Sequence, residues 1–370
     1  MTLSRRKALS LIGGGTVLAA TAATAGFINT RPPQTAIAPW GLAGSYDDPR
    51  LNALSYALLA PNPHNLQPWQ VRLDGTDALT LMHDGERWLP HTDPDGRQIM
   101  AGKGCFLEQM TIAASAAGYE VALEMFPEGE GGPIAHARFE EGASADPLAA
   151  YILDRRSCKE PFTAEPVPAA LANELEMSAD IYTDAATVDK LRKLTFDAFM
   201  VETMTPRTMK ESVDVMRMGK AEINASPDGI DMGGAFLEGL MLTGLLTREG
   251  LLDPDSPGFQ QGIDVYREIM VNTPAYAVLT TPGNTSRDHI DAGRRWLRLN
   301  LTTTRMGLSL HPVSQALQEY PEMDELYAKA HQMLAPEGHT VQMLGRLGYG
   351  PAIPRTPRWP LEAKLIRDQA

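Results

Sequence analysis

Two stretches of this chain follow one plan, 189 positions apart. Gly104 and Gly118 bracket thirteen residues of helical pattern that run on into a strand pattern, and Gly293 and Gly307 do the same. Glycine just past a helix supplies the left-handed residue that stops it, so each bracket reads as a helix with a defined end. The fold expected is therefore α+β and internally duplicated, as a fused pseudo-dimer would be. At 370 residues the chain is long enough for two such units and a sizeable core. Hydrophobic residues at 43% and charged residues at 21% are those of a globular protein and exclude a disordered or multi-span membrane chain. The net charge of −13 argues against a nucleic-acid partner, because phosphate binding needs a basic face.

Asp48 and Pro49 give a cap and a first-turn proline to a helix whose buried stripe is Leu51, Leu54 and Leu58. That helix must stop at Ala60-Pro61-Asn62-Pro63-His64-Asn65-Leu66-Gln67-Pro68-Trp69. Its three prolines make the backbone stiff and extended. Between them Asn62, His64, Asn65 and Gln67 can donate and accept hydrogen bonds in a planar array, which suits the edge of a flat heteroaromatic ligand. Strand patterns follow at 69–73 and 78–83, then a polar turn, a helix over 99–117, strands at 119–126 and 134–139, and a short helix over 147–154. Next comes Asp154-Arg155-Arg156-Ser157-Cys158-Lys159. Two guanidinium groups, a hydroxyl and an ammonium so close together make a phosphate clamp. The same cations would lower the pKa of the Cys158 thiol and open a redox role to it.

Helical spacing returns over 184–203 through Val188, Leu191, Leu194, Ala198 and Phe199, and a second helix is expected over 206–218. The stretch 203–250 is rich in methionine, which at helical spacing reads as core filler, with a deformable lid-like insertion as the functional alternative. A buried strand at 275–281 and a long helix over 287–306 lead to Ser309-Leu310-His311-Pro312-Val313-Ser314-Gln315. The carboxyl-terminal arm, stiffened by proline, delivers Arg355 and Arg358. At the other end, Arg5-Arg6-Lys7 precedes a mildly apolar run over 9–25 and a small-residue cleavage site at Ala23-Thr24-Ala25. Residues 1–26 resemble a twin-arginine export signal, with an uncleaved membrane anchor as the alternative. Residues 27–46 read as a linker. Cys105 and Cys158 would then sit where disulfides are permitted, their pairing open. None of the eight histidines stands at metal-ligand spacing, so no metal site is expected.

Four separated segments, the proline loop, the arginine clamp, the 309–315 stretch and the carboxyl-terminal arm, resemble the nitroreductase superfamily in the same order. His64-Asn65-Leu66-Gln67-Pro68-Trp69 most resembles its Acg branch of FMN-binding proteins. The resemblance implies a nitroreductase-like fold that binds FMN. Arg155, Arg156, Ser157 and Lys159 would hold the phosphate and ribityl chain, with Arg358 and its neighbour Arg355 as further phosphate ligands. Pro61, Asn62, Pro63, Asn65 and Gln67 would edge the ring, and Pro312 and Ser314 would approach it, although Gln315 stands where glycine is common in the superfamily. Nitroreductases generally place flavin between two subunits. One loop and one clamp per chain therefore imply units at 47–154 and 155–370, a single complete site at their seam, and a monomer. The implied activity is that of an exported FMN-dependent oxidoreductase acting on a small electrophile such as a nitroaromatic, quinone or enone, without a catalytic acid or base from the protein. A flavin-sequestering protein with little turnover is the alternative. Its partners would be the twin-arginine export machinery and an unknown electron donor, and its location the periplasm or beyond, anchored if the signal stays on.

Overall fold

The computed structural model describes residues 27–366, so the export signal at 1–26 lies outside the described residues. The first unit opens with α1 (Pro49–Ala57), capped by the Asp48 carboxylate, which accepts from the Arg50 amide. After the proline loop, β1 (Trp69–Asp74) and β2 (Ala78–His83) form a hairpin whose turn carries Gly75 at φ 54°. Helix α2 (Arg97–Ala116) follows; its first amides are capped from outside by Asp93, which accepts from Gln98 and Ile99. It is buried on nearly every side, including its polar Lys103, Glu108 and Gln109. Strands β3 (Tyr119–Met125) and β4 (Ala135–Glu141) complete an antiparallel sheet in the order β1-β2-β4-β3.

The second unit contains β5 (Asp180–Tyr182), α3 (Ala185–Met204) and α4 (Pro206–Asp214). A small subdomain follows: β6 (Met216–Met218), α5 (Gly219–Ala225), β7 (Ile230–Met232) and α6 (Ala235–Leu242), with β6 and β7 paired in parallel. Then come α7 (Pro257–Val271), β8 (Ala275–Thr281), α8 (Ser286–Arg305), β9 (Ser309–Pro312), α9 (Asp324–Leu334) and β10 (Thr340–Gly348). A capping box of Thr285 and Asp288 starts α8. The second sheet is antiparallel in the order β5-β8-β10-β9. Both sheets thus run first, second, fourth, third in their own chain order, with the long helix between second and third.

Helices α2 and α8 cross at two glycines. A methyl group added at Gly104 would strike the Ile290 carbonyl, and one at Gly293 would strike the Ala101 carbonyl. The two contacts are reciprocal, since Ala101 and Gly104 stand in α2 as Ile290 and Gly293 stand in α8. Beside them Cys105 Sγ donates to the Gly293 carbonyl at 3.1 Å, and the buried Glu108 carboxylate pairs with Arg294 and Arg298. Leu54, Phe106, Met110, Leu297 and Leu301 share one core across this seam.

Two backbone contacts tie the chain's segments to these sheets, and the second joins the carboxyl-terminal arm to the first sheet. Ser157 bridges Leu310 of β9, and Val71 of β1 exchanges backbone bonds with Lys364 and Ile366. Two local expectations differ. Residues 29–46, read as a linker, form short helices at Gln34–Ile37 and Pro39–Leu42, because Trp40 docks with 1% exposure and donates from Nε1 to the Thr356 carbonyl. The helix expected to reach 218 stops at Asp214, where Met216–Met218 turns into the parallel pair with β7. The methionines of this stretch, Met209, Met216, Met218, Met232 and Met241, pack around Val213, Leu246 and Leu251 as a small core of their own.

Candidate flavin-binding site

The proline loop turns once, at Pro63–Asn65, and holds His64, Asn65 and Gln67 at φ 47°, 54° and 53°. Side chains other than glycine rarely adopt this region, so a fixed external frame must hold it. That frame is visible. Asn62 Oδ1 accepts from the Gln67 amide at 2.7 Å. Asn65 Oδ1 accepts from Arg358 at 2.6 Å while its Nδ2 donates to the Pro357 carbonyl. Gln67 is wholly buried, donating to the Pro227 carbonyl and accepting from the Trp359 amide. Asn65 and Gln67 therefore turn inward, to the carboxyl-terminal arm and the root of the lid. The planar array expected at a ring edge is reduced to Pro61, Asn62, Pro63 and His64, which remain partly exposed. Gly102 of α2 lies under Asn62 and Pro63, where a Cβ would come within about 3 Å of both.

The arginine segment lies behind this loop, at its junction with β9. Arg155 is buried, donating to the Leu59 carbonyl at 3.0 Å. Arg156 lies over the Trp40 ring at 4.2 Å, with Arg355 and Arg358 each at 5.8 Å from the same ring. Among the described residues none of these four arginines is ion-paired with a carboxylate. Burial, and then the other arginines, push Arg155 down to about 10 and Arg358 down to about 9. Arg156 is lowered by burial and by Arg355, against the opposing pull of Asp154. The Nε atoms of Arg155 and Arg156 are buried without an acceptor. An anion drawn into this cluster would relieve repulsion that the protein alone leaves in place.

Arg358 was expected at the phosphate. The structure instead surrounds it with acceptors: its donors reach the carbonyls of Leu58, Leu59, Ala60 and Pro357 and the Asn65 side chain. It fixes the loop. Arg355 remains exposed, and Arg156 keeps an unbonded Nη2. The Cys158 expectation is also corrected. The thiol is buried, and desolvation outweighs the neighbouring cations, so its pKa is raised. Cys105 and Cys158 are both free.

Lys159 is solvent-exposed yet recessed: burial lowers its pKa, and Asp231 of β7 opposes that shift. The same recess receives His64, pushed down to about 4 by burial and then by Lys159. It also receives His311, pushed well down by burial, Arg346 and Lys159. His311 Nδ1 accepts from Arg346 Nη2 at 2.9 Å, so the ring is neutral with its proton on Nε2. Arg346 is fully buried, and the same Nη2 reaches the carbonyls of Cys158 and Glu160, which ties His311 to the arginine segment. Pro312 ends β9 opposite Gly345, and Ser314 Oγ is buried without a partner. His311, Arg346, Trp40 and Asp231 were not among the expected site residues. Only His311, adjoining Pro312, gave a sequence signal that could have found it. Among the described residues no three His, Cys, Asp or Glu side chains stand close enough to hold a metal.

No family model matches the chain. A Mycobacterium tuberculosis protein carrying the provisional name NAD(P)H nitroreductase is 25% identical over 338 residues, which cover 85% of this chain and 92% of that protein. This chain is therefore similar to a nitroreductase-named protein along most of its length. The Acg protein of the same organism is 40% identical to this chain over 77 residues, 20% of this chain and 23% of that protein. Two solved structures are similar at the level of fold. One, provisionally a nitroreductase of Anabaena variabilis, is 12% identical with a TM-score of 0.46, covering 85% of this chain and 91% of that one. The other is the FMN-dependent nitroreductase NfnB of Mycobacterium smegmatis in complex with NADPH, 20% identical with a TM-score of 0.37, covering 60% of this chain and 98% of that one.

Proposed function

We propose that the protein is an FMN-dependent oxidoreductase that reduces a small electrophile such as a nitroaromatic, quinone or enone. The observation that carries this reading is the group of three arginines over Trp40, with Arg155 buried near them and none of the four ion-paired among the described residues, set against the strained proline loop in a chain of net charge −13. A phosphate monoester dianion answers that charge, and a flat ring beyond it answers the loop. FMN, when bound, would supply the two-electron chemistry.

The chain's own residues would bind and orient. Arg156, Arg355, Ser157 and Lys159 would hold the phosphate and ribityl chain, and Arg155 would contribute charge from behind. Pro61, Asn62 and Pro63 would border the ring, with Pro312 and Ser314 on the β9 side. Asn65, Gln67 and Arg358 would act through the loop they hold. His311 would present a neutral N–H, and no side chain need act as a general acid or base. The lid at about 203–250, whose Asp231 faces Lys159, would exclude water.

We further infer a fused pseudo-dimer with units at 47–154 and 155–370. The like strand orders and the reciprocal glycine contacts support it, as does the carboxyl-terminal arm's bridge to β1. Placement in the Acg branch, supported by the 77-residue match, is part of the same proposal. So are export by the twin-arginine machinery, a periplasmic or membrane-anchored location, and an electron donor outside the cytoplasm, all of which rest on residues 1–26 of the sequence.

The test is an FMN titration of the purified protein, followed by anaerobic reduction with dithionite and addition of a nitroaromatic or a quinone. Flavin that binds and is promptly reoxidised supports the enzyme. Flavin that binds and stays reduced supports sequestration, the second reading. A protein that takes up no FMN ends both.

A further inference from the structure

Residues 235–246 read Ala-Phe-Leu-Glu-Gly-Leu-Met-Leu-Thr-Gly-Leu-Leu and cover α6 and the turn after it. Their one charge, Glu238, is buried and ion-paired with Arg31 at 2.9 Å. Leu237, Leu240, Met241 and Leu246 face inward to the small core of the lid. Phe236, Leu242 and Leu245 face outward at 77%, 76% and 67% exposure, with no exposed charge among them. A concentrated apolar face of this kind marks an interaction site.

Its surroundings point to the occupant. Lys220 Nζ donates to the Thr30 carbonyl at 2.8 Å and Arg31 holds Glu238, so the segment 28–31 lies along the lid. Ile28 there is itself exposed. In sequence, the apolar run at 9–25, preceded by Arg5-Arg6-Lys7, comes shortly before Arg31, which α6 holds through Glu238. A second copy of the chain is a poor occupant, because three side chains fall far short of the roughly 800 Å² per partner that a stable interface buries. A bilayer surface accepts a short amphipathic helix by its apolar side alone.

We propose that the outer face of α6 and the turn after it, Phe236, Leu242 and Leu245, seats in the surface of a lipid bilayer. The full-length Leu242→Cys variant, labelled with an environment-sensitive fluorophore and mixed with phosphatidylcholine vesicles, tests this directly. The native Cys105 and Cys158 are buried and leave the new thiol as the reactive one. The label is expected to shift to the blue, to lose access to aqueous iodide, and to be quenched by a nitroxide carried on the lipid chains. The same label at Val271→Cys, an exposed position at the end of α7, is expected to stay open to iodide. A second variant, Phe236→Ser with Leu242→Ser and Leu245→Ser, keeps residues 1–26 and should partition into vesicles at least tenfold less than the parent. A label at 242 that remains open to iodide on vesicles overturns the proposal. So does shielding without vesicles, whether it grows with protein concentration, as for a second copy, or not, as for cover by the chain itself. Unchanged partitioning of the triple variant overturns it as well.

Discussion

Arg156 and Arg358 lie against one tryptophan and do different work. Arg358 sits among carbonyls with its donors occupied, so Arg358→Ala strips several buried acceptors of their donor at once and is expected to destabilise the protein by about 2 to 4 kcal/mol, read as a lowered denaturation midpoint without FMN. Arg156 faces other cations and no ion-pairing carboxylate, so Arg156→Ala should change the apo midpoint little. It should instead weaken FMN binding by about 1.5 to 3 kcal/mol, the worth of a charge-assisted contact, read by fluorescence titration. Equal losses of stability from both variants would contradict this division. Histidine makes the second residue-level prediction. Burial, and then Lys159, hold His64 neutral in the fold to about pH 4, whereas an unfolded imidazole takes its proton near 6.5. The unfolded chain binds more protons across that window, so stability falls as pH drops from 6.5 toward 4. His289, lowered to about 4 by burial and then by Arg97, adds to the same limb. Lys103, pushed down to about 7 by burial, works on the alkaline side: the unfolded amine stays protonated to about 10.5, so stability rises from pH 7 toward 10. Urea midpoints measured across pH 4 to 10 check both limbs, and His64→Gln should flatten the acid one. Such roles were hidden from the sequence. It singled out Asn65, Gln67 and Arg358, but which way a polar side chain faces depends on hydrogen-bond partners almost 300 positions away.

Among the elements, α2 and α8 matter most, because their close approach puts the loop of one unit beside the arginine segment of the other. That approach depends on two hydrogen atoms in place of methyl groups. Gly293→Ala would drive a Cβ into the Ala101 carbonyl, and since the atom met is backbone the helices must separate. Overpacking of that kind costs about 1 to 3 kcal/mol, and Gly104→Ala should match it from the opposite side. Thermal melts of the two variants provide the check. The root of the lid is a second joint. The buried Asp228 carboxylate accepts from Arg87, Arg217, Trp359 Nε1 and Ser226, which pins lid, hairpin and carboxyl-terminal arm together. Both arginines are about one-fifth exposed, so water takes over part of their solvation when the carboxylate goes. Asp228→Ala is expected to cost about 2 kcal/mol and to quicken amide exchange over 216–232 before the sheets respond, measured by hydrogen exchange. Elements with strong periodicity were legible in advance: β8 spans 275–281 as expected, and α2 and α8 differ from expectation by one or two residues at their ends. Pro39–Leu42 was not legible, because what makes it a helix is the pocket Trp40 enters, and Thr356 helps to form that pocket from the far end of the chain.

At the scale of the molecule, the two sheets and the helices α2 and α8 bring the proline loop and the arginine segment together within one chain. The site at this seam needs a loop from one side and arginines from the other, and the chain holds one such combination. The place in the second unit that corresponds to the proline loop, between the helix Ala169–Leu175 and β5, is the short link Glu176-Met177-Ser178-Ala179. It has no proline, no side-chain amide and no residue in the left-handed region. A ring has nothing to lie against there. Helices α2 and α8 also bury their contact faces against one another within the one chain. These two facts fix a stoichiometry. The protein is expected to bind one FMN per chain with a single affinity, and to sediment as one chain whether or not flavin is present. Absorbance titration together with sedimentation equilibrium measures both quantities on the same sample. Two flavins per chain would mean that the 176–179 link can serve as a loop after all. One flavin per pair of chains, with affinity rising as protein concentration rises, would mean that the complete site lies between molecules and that the internal seam only imitates it.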